Sequence, residues 1–293
     1  MYCEILMDFK NNVIRFDTID STNRFLVSEA LQGAPEGTVC VADYQTSGKG
    51  RADRIWESPP AGGLLCSVLF RPDIAVSSFY VIPTVVSLAI LDALEKVESV
   101  LCGIKWPNDI VYGGKKLGGL LSEVVTPGVK SGNVNSALVV GFGINCFWPA
   151  GFKAAIDPGI ALLPTTLEEI TTRVPDKNIL LEHILDGIRE RYENFLFHWS
   201  AASVRSEQTG RDFPRNSAGA EEDASLSSAA GAIAEEYRSR CVTVGQDVRV
   251  HFRDGIVKGH ASDIDRYGRL LVETEGQTVA VDAADVVHLR SDH

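Results

Sequence analysis

The run Ser136 to Asn145, SALVVGFGIN, has no charged residue and too little polarity to face water on either side. A strand with one wet face alternates apolar and polar residues; this one does not, so it needs cover above and below. Three other β-rich runs can join it: Thr38 to Tyr44, Gly63 to Phe70, and Ile110 to Tyr112 leading through Gly113-Gly114 into Lys116 to Val125. Val13 to Asp17 adds a fifth segment of strand character. Helical spacing supplies the cover. Asp20-Ser21 caps a short helix carrying Phe25, Leu26 and Leu31. Ser78 to Val97 repeats Val81, Val85, Leu88, Leu91 and Leu94, with Pro83 tolerable near the first turn. Asp176 to Trp199 carries Leu180, Ile184, Ile188, Tyr192 and Phe195 on one face, with Asp176 at its start. The fold class that follows is α+β, a mixed sheet with helices on its faces, spanning residues 1–200.

From Ser203 to Gly231 the composition shifts to Ser, Ala, Gly and charge, with Val204, Phe213 and Leu226 the only larger apolar residues. So few cannot offset the entropy of ordering the segment. Residues 201–239 are therefore expected to be a disordered insertion or linker ending in a short helix. Beyond it Val248, Val250 and Phe252 alternate with polar residues, and Asp254-Gly255, Arg266 to Gly268 and Glu275-Gly276 mark turns. Residues 240–293 are expected to form a small β-barrel.

With 39 acidic and 28 basic residues the net charge is −11, which disfavours broad attachment to nucleic acid or an anionic membrane. Any anionic ligand has to meet a local cluster of cations. Cys3, Cys40, Cys66, Cys102, Cys146 and Cys241 have no metal-binding spacing and do not resemble a secreted disulfide framework. Buried, reduced thiols are expected, and no metal site. Glu4 and Asp8 interrupt what would be a signal peptide's apolar region, and Tyr80 to Val97 carries Asp92, Glu95 and Lys96. A cytoplasmic chain with no membrane partner is the expectation.

Two segments carry candidate chemistry. In Gln45-Thr46-Ser47-Gly48-Lys49-Gly50-Arg51, followed by Arg54 and Trp56, two glycines and three cations come directly after a strand. Such a loop can wrap backbone N–H groups and guanidinium forks around a phosphate or carboxylate; it can equally be a solvated turn. It is neither a P-loop nor a GxGxxG fingerprint. In Lys105-Trp106-Pro107-Asn108-Asp109 and Lys116-Leu117-Gly118-Gly119, one lysine ends a short strand and another opens the next. Both ammonium groups can lie at one end of the sheet, although Pro-Asn-Asp is also ordinary turn chemistry.

Together with Phe16-Asp17-Thr18-Ile19-Asp20-Ser21-Thr22-Asn23 and Gly141-Phe142-Gly143-Ile144-Asn145, these segments closely resemble the biotin protein ligase family, in the same order and at similar intervals. The resemblance is strong from Val13 to Asn145 and weaker beyond. It implies a catalytic domain followed by an SH3-like β-barrel. It also implies a two-step reaction: ATP and biotin form biotinyl-5′-adenylate, and biotin then passes to one lysine of a biotin carboxyl carrier protein. By the same resemblance Ser21, Thr22, Asn23 and Gln45 bind biotin's ureido and neighbouring groups. Lys49, Gly50 and Arg51 belong to a loop closing over the intermediate. Trp56 lies near the adenine, Lys105 and Lys116 meet the carboxylate and α-phosphate, and Asn108 and Asn145 contact the nucleotide. Lys105, Lys116 and Arg51 would neutralise two mutually repelling anions, and Mg²⁺ is expected with the ATP phosphates. Asp109, the nearest motif carboxylate, is the candidate for assisting deprotonation of the acceptor amine.

Lys49 stands where many relatives have Arg, and Asp53 where glycine is common. The nearest rival, a lipoate or octanoate ligase, needs a long apolar slot where this chain places Ser21, Thr22, Asn23 and Gln45. A non-catalytic interaction protein built on the terminal strands is the remote alternative, and leaves the cation motifs unexplained. The dozen or so residues before the first strand are too few for a winged helix, so no DNA partner is expected. Homodimers are common in the family.

Overall fold

The computed structural model describes residues 9–52, 54–126, 136–152, 162–208, 230–252, 255–282 and 285–288. Seven strands form one mixed sheet: β1 (Val13–Ile19), β2 (Val39–Gln45), β3 (Gly63–Phe70), β4 (Gly103–Lys105), β5 (Asp109–Tyr112), β6 (Lys115–Val125) and β7 (Ala137–Asn145). Their order is β1-β2-β3-β7-β6-β5-β4, with β1 parallel to β2 and every other neighbour antiparallel. The two most apolar strands, β3 and β7, are buried at every residue and lie side by side at the centre.

Cover comes from both sides. Helix α1 (Thr22–Leu31) packs Leu26 and Ala30 against Cys40, Leu69 and Val139 on one face. On the other face α2 (Val81–Glu98) lies in the main core with α4 (Lys177–Gln208); Val41, Leu64, Val68 and Val140 point the opposite way from their strand neighbours and meet it. The alternation of Cys40 with Val41 and Leu69 with Val68 is the period of two that lets one strand serve two cores. Helix α2 with its preceding 3₁₀ turn is long and apolar enough to cross a bilayer, yet Val85, Leu88, Leu91 and Leu94 are fully buried within the protein. A short helix, α3 (Leu167–Thr171), capped by Thr166, links β7 to α4.

Ser21 caps α1, accepting from the Arg24 backbone N–H, and Asp176 Oδ1 accepts from the N–H groups of Asn178 and Ile179 at the start of α4. Helix α4 runs on to Gln208, past Ser203 where the insertion was expected to begin. A helix already nucleated needs only one hydrogen bond per added residue, and the Ala, Arg, Glu and Gln in this stretch are good helix formers. Residues 209–229 of that expected insertion lie outside the described residues, as do Cys3 and Asp53. A further helix, α5, covers 230–240.

The terminal module is a five-stranded antiparallel sheet of β8 (Asp247–Phe252), β9 (Gly255–Ile264), β10 (Leu270–Thr274), β11 (Gln277–Val281) and β12 (Asp285–His288), in the order β11-β10-β9-β8-β12. Two of the expected turns are present: Gly268 has φ +73°, and Glu275 and Gly276 have φ +43° and +83°, the paired left-handed conformations that suit a two-residue hairpin. Asp254 lies outside the described residues. Among the described residues no ladder joins β11 to β12, so the expected barrel is present as a sheet with two edges. Charge ties α5, which leads into this module, to α2 and α4. Arg191 of α4 donates to Glu236 of α5 at 2.7 and 2.8 Å and also to Asp92 of α2, and Arg191's hydrogen bonds hold the Glu236 carboxyl below its ordinary range.

Candidate active site

A cavity of about 760 Å³ opens where β2, β3, β6 and β7 meet the loop after β2 and the edge of the terminal sheet. It brings together every site residue expected from the sequence: Ser21, Thr22, Asn23, Gln45, Lys49, Gly50, Arg51, Trp56, Lys105, Asn108, Asp109, Lys116 and Asn145. Its lining holds five cations, Lys49, Arg51, Arg54, Lys105 and Lys116, against the carboxylates Glu57 and Asp109. The local charge is thus opposite in sign to the whole chain, as an anionic ligand requires.

One end is a buried polar wall built on the N-terminus of α1. Gln45 Oε1 accepts from Thr22 N–H at 2.8 Å and from Thr22 Oγ1 at 3.0 Å. Ser67 Oγ, on β3, donates to Asn23 Oδ1 at 2.6 Å and lies 2.8 Å from Thr22 Oγ1. Asn23 Nδ2 donates to Glu123 Oε2 at 2.8 Å and to the Leu121 carbonyl at 3.2 Å. Both amide hydrogens of Asn23 are thereby used within the protein, leaving its carbonyl lone pair, the Thr22 and Ser21 hydroxyls and the Gln45 amide as groups to meet a ligand. This packing requires glycine at 141: a Cβ there would sit 1.9 Å from Asn23 Oδ1.

The opposite end is cationic and aromatic. Lys116 pairs with Asp109 across the β5–β6 ladder at 2.6 Å, and its ammonium stands 5.5 Å from the Trp56 ring centroid. Trp56 rests on Gly143 of β7, where a Cβ would approach the indole to 2.6 Å. Its Nε1 and that of Trp148, which also lines the cavity, are buried without a hydrogen-bond partner among the described residues. Asn145 Nδ2 is spent on the Thr165 carbonyl at 3.0 Å. Lys105 Nζ donates to the Val286 carbonyl of β12 at 2.6 Å, so the terminal module reaches into the site.

The loop between these ends is a hairpin. Lys49 bridges Ile55, Gly50 N–H donates to the Arg54 carbonyl at 2.7 Å, and Ala52 at the tip has φ +51°. From it Arg51 Nη1 reaches Asn108 Oδ1 at 3.5 Å and Lys49 Nζ lies 3.9 Å from Glu123 Oε1. The five described cysteines are free and buried; burial pushes the Cys40, Cys102 and Cys146 thiols up to about 12 and raises those of Cys66 and Cys241. None is a nucleophile at neutral pH. Sequence reading missed Ser67, Glu123, Trp148, His251, Val286 and Val287. Trp148 alone carried a signal, as one of four tryptophans and three residues beyond Asn145.

Two family models match this chain: the biotin/lipoate A/B protein ligase family over residues 15–145, and the biotin protein ligase C-terminal domain over residues 243–289. The biotin--[acetyl-CoA-carboxylase] ligase of Mycobacterium tuberculosis is 32% identical over 276 residues, covering 92% of this chain and 86% of the relative. The chain belongs to the biotin protein ligase family. The bifunctional ligase/repressor BirA of Bacillus subtilis is 27% identical over 94% of this chain and 73% of its own length. Among solved structures, the biotin protein ligase from Aquifex aeolicus in complex with biotin and ATP superposes with a TM-score of 0.69 at 26% identity, covering 96% of this chain and 99% of that one. In a biotin protein ligase of this fold, the first model's match holds both the polar wall and the Lys116–Asp109 pair, while the second begins at Thr243, beside the contacts that reach Lys105.

Proposed function

We propose that this protein is the ATP-dependent ligase that activates biotin as biotinyl-5′-adenylate and transfers it to a specific lysine of a biotin carboxyl carrier protein. The observation that carries this reading is the single cavity with a buried hydroxyl and amide wall at one end and Lys105, Lys116 and Arg51 toward the other. A ureido ring suits the first end and two apposed anions the second. A lipoyl chain would offer no partner to the wall's remaining capacity, the Gln45 amide and the spare lone pairs of Asn23 and the hydroxyls.

In the first step a biotin carboxylate oxygen forms a bond to the α-phosphorus of ATP and pyrophosphate leaves. The carboxylate is already ionised at neutral pH, so no base is required; alignment and charge neutralisation are. Lys116 is poised for this, fixed between Asp109 and the face of Trp56. Mg²⁺, bound through the ATP phosphates, would supply further charge neutralisation. In the second step the acceptor amine attacks the carbonyl carbon, AMP leaves, and the amine sheds a proton. Asp109 is the carboxylate proposed to assist there, at the expense of its bond to Lys116.

Biotin-dependent exchange of labelled pyrophosphate into ATP tests the first step alone. Exchange with biotin and none with lipoate is expected; the reverse would move the protein to the lipoate branch. The reading further places the protein in the cytoplasm, and light scattering after size exclusion decides whether it works there as a homodimer.

A further inference from the structure

The terminal module does more than abut the site: it holds the strand that carries Lys105. Strand β4 has three residues and, among the described residues, one partner in its own sheet, β5. Its outer edge is taken up by the segment leading into β8. Ile104 bridges Cys241, Val242 N–H donates to the Ile104 carbonyl at 2.8 Å, and Gly103 leaves room for Val242, whose Cγ1 would lie 2.4 Å from a Cβ at that glycine. The turn that follows is gripped at three points. Trp106 N–H donates to Thr243 Oγ1 at 3.0 Å, Trp106 Nε1 donates to the Gly268 carbonyl at 2.9 Å, and Tyr237 Oη donates to the Pro107 carbonyl at 2.9 Å.

Thr243 is the point at which these contacts acquire a direction. It is fully buried, and its hydroxyl oxygen, while accepting from Trp106, lies 3.1 Å from His288 Nε2. The hydroxyl has one proton to give, and a neutral His288 with a bare Nε2 can take it. Burial, with Lys105 nearby, holds His288 well below its ordinary value at about 4, so the imidazole is neutral at working pH. His288 and Val286 are two residues apart on β12, and the Val286 carbonyl holds the Lys105 ammonium. The Thr243–His288 contact therefore ties the end of β12, already paired with β8, to the turn that follows β4.

We propose that Thr243 and His288 form a buried positioning relay that registers β12 against β4 and thereby aims Lys105 at the nucleotide phosphates. Neither residue touches the ligand; both act through Lys105. The proposal rests on the ligase reading above and adds to it the residues that govern the nucleotide half of the cavity.

The test compares wild type with the Thr243→Val and Thr243→Ser variants. Biotin affinity is measured without ATP, and the ATP KM in pyrophosphate exchange. Valine keeps the shape and removes both hydrogen bonds; it is expected to raise the ATP KM at least tenfold while biotin affinity stays within twofold, and serine is expected to restore both. Should the valine variant not fold, His288→Leu carries the same expectation. Unchanged ATP KM in the folded variant, or biotin and ATP binding weakened in proportion, overturns the relay. No exchange by wild type overturns the ligase reading instead, so the two failures are distinct.

Discussion

Gly143→Ala should uncouple stability from nucleotide use. Gly143 lies in the middle of β7, paired with Leu65 and Gly119, without a positive φ, so alanine fits its backbone. On the chain alone the change is neutral or stabilising by about 0.4–1 kcal/mol. The new Cβ, however, would lie 2.6 Å from Trp56 Cε2 and Cζ2 and 2.9 Å from Nε1. Carbon pairs settle at about 3.5–4.0 Å, so the indole has to retreat by about 1 Å. That displaces it from Lys116 and from the space proposed for the adenine. Stacking of a base on an aromatic ring is worth about 1–3 kcal/mol, and loss of half or more raises the ATP KM by roughly tenfold. The assay is pyrophosphate exchange with ATP and biotin varied separately, alongside thermal unfolding. The expected result is an unchanged or slightly higher Tm, an ATP KM up about tenfold and a biotin KM within twofold. An unchanged ATP KM, or a shift in biotin alone, would refute the placement of adenine against Trp56.

Other outcomes follow from the same geometry. Lys116→Ala should lower the rate of adenylate formation by about 10²–10³, the scale of removing one preorganised charge-stabilising donor, as measured by single-turnover formation of biotinyl-AMP. Asp109→Asn should slow transfer from preformed adenylate to the carrier; transfer at the wild-type rate would end its proposed role as proton acceptor. Arg51→Gly, which removes the loop's reach to Asn108, should release adenylate and label bystander lysines, and full retention of adenylate would remove Arg51 from the closing loop. His288 titrates near 4 folded and near 6.5 unfolded, so below pH 6.5 the unfolded chain binds the extra proton and stability falls until about pH 4. The difference in urea midpoint between wild type and His288→Gln should therefore narrow across that window, and a pH-independent difference would contradict it.

How much of this was legible in the sequence depended on whether the signal was local. Strand β3 spans the residues its apolar run marked and β7 differs by one residue, because burial on both faces leaves an unbroken apolar record; β2 and β6 also lie within a residue of their runs, although Asp43, Lys115, Ser122 and Val124 are exposed. The motif residues converge on one cavity because they sit at strand ends, at the start of α1 or on the loops that join them at the same end of the sheet. Ser67 left no trace: it is the lone hydroxyl in an apolar run, and its value lies in reaching Thr22 and Asn23 from another strand. Thr243 and Val286 were equally silent, since their contacts to Trp106 and Lys105 join residues more than 130 positions apart. Helix α3, with five residues, is too short to carry a helical period. The strand order of the terminal sheet, β11-β10-β9-β8-β12, was silent for a like reason, since no local pattern specifies which distant strands pair.

The central claim is a biotin-specific transfer to protein, and the intact mass of an apo biotin carboxyl carrier domain tests it most directly. The domain is incubated with this protein, Mg-ATP and equal concentrations of biotin and lipoate. A single biotin adduct, absent with the Lys116→Ala variant, is the predicted result; a lipoyl adduct, or no adduct with the wild-type protein, would contradict it.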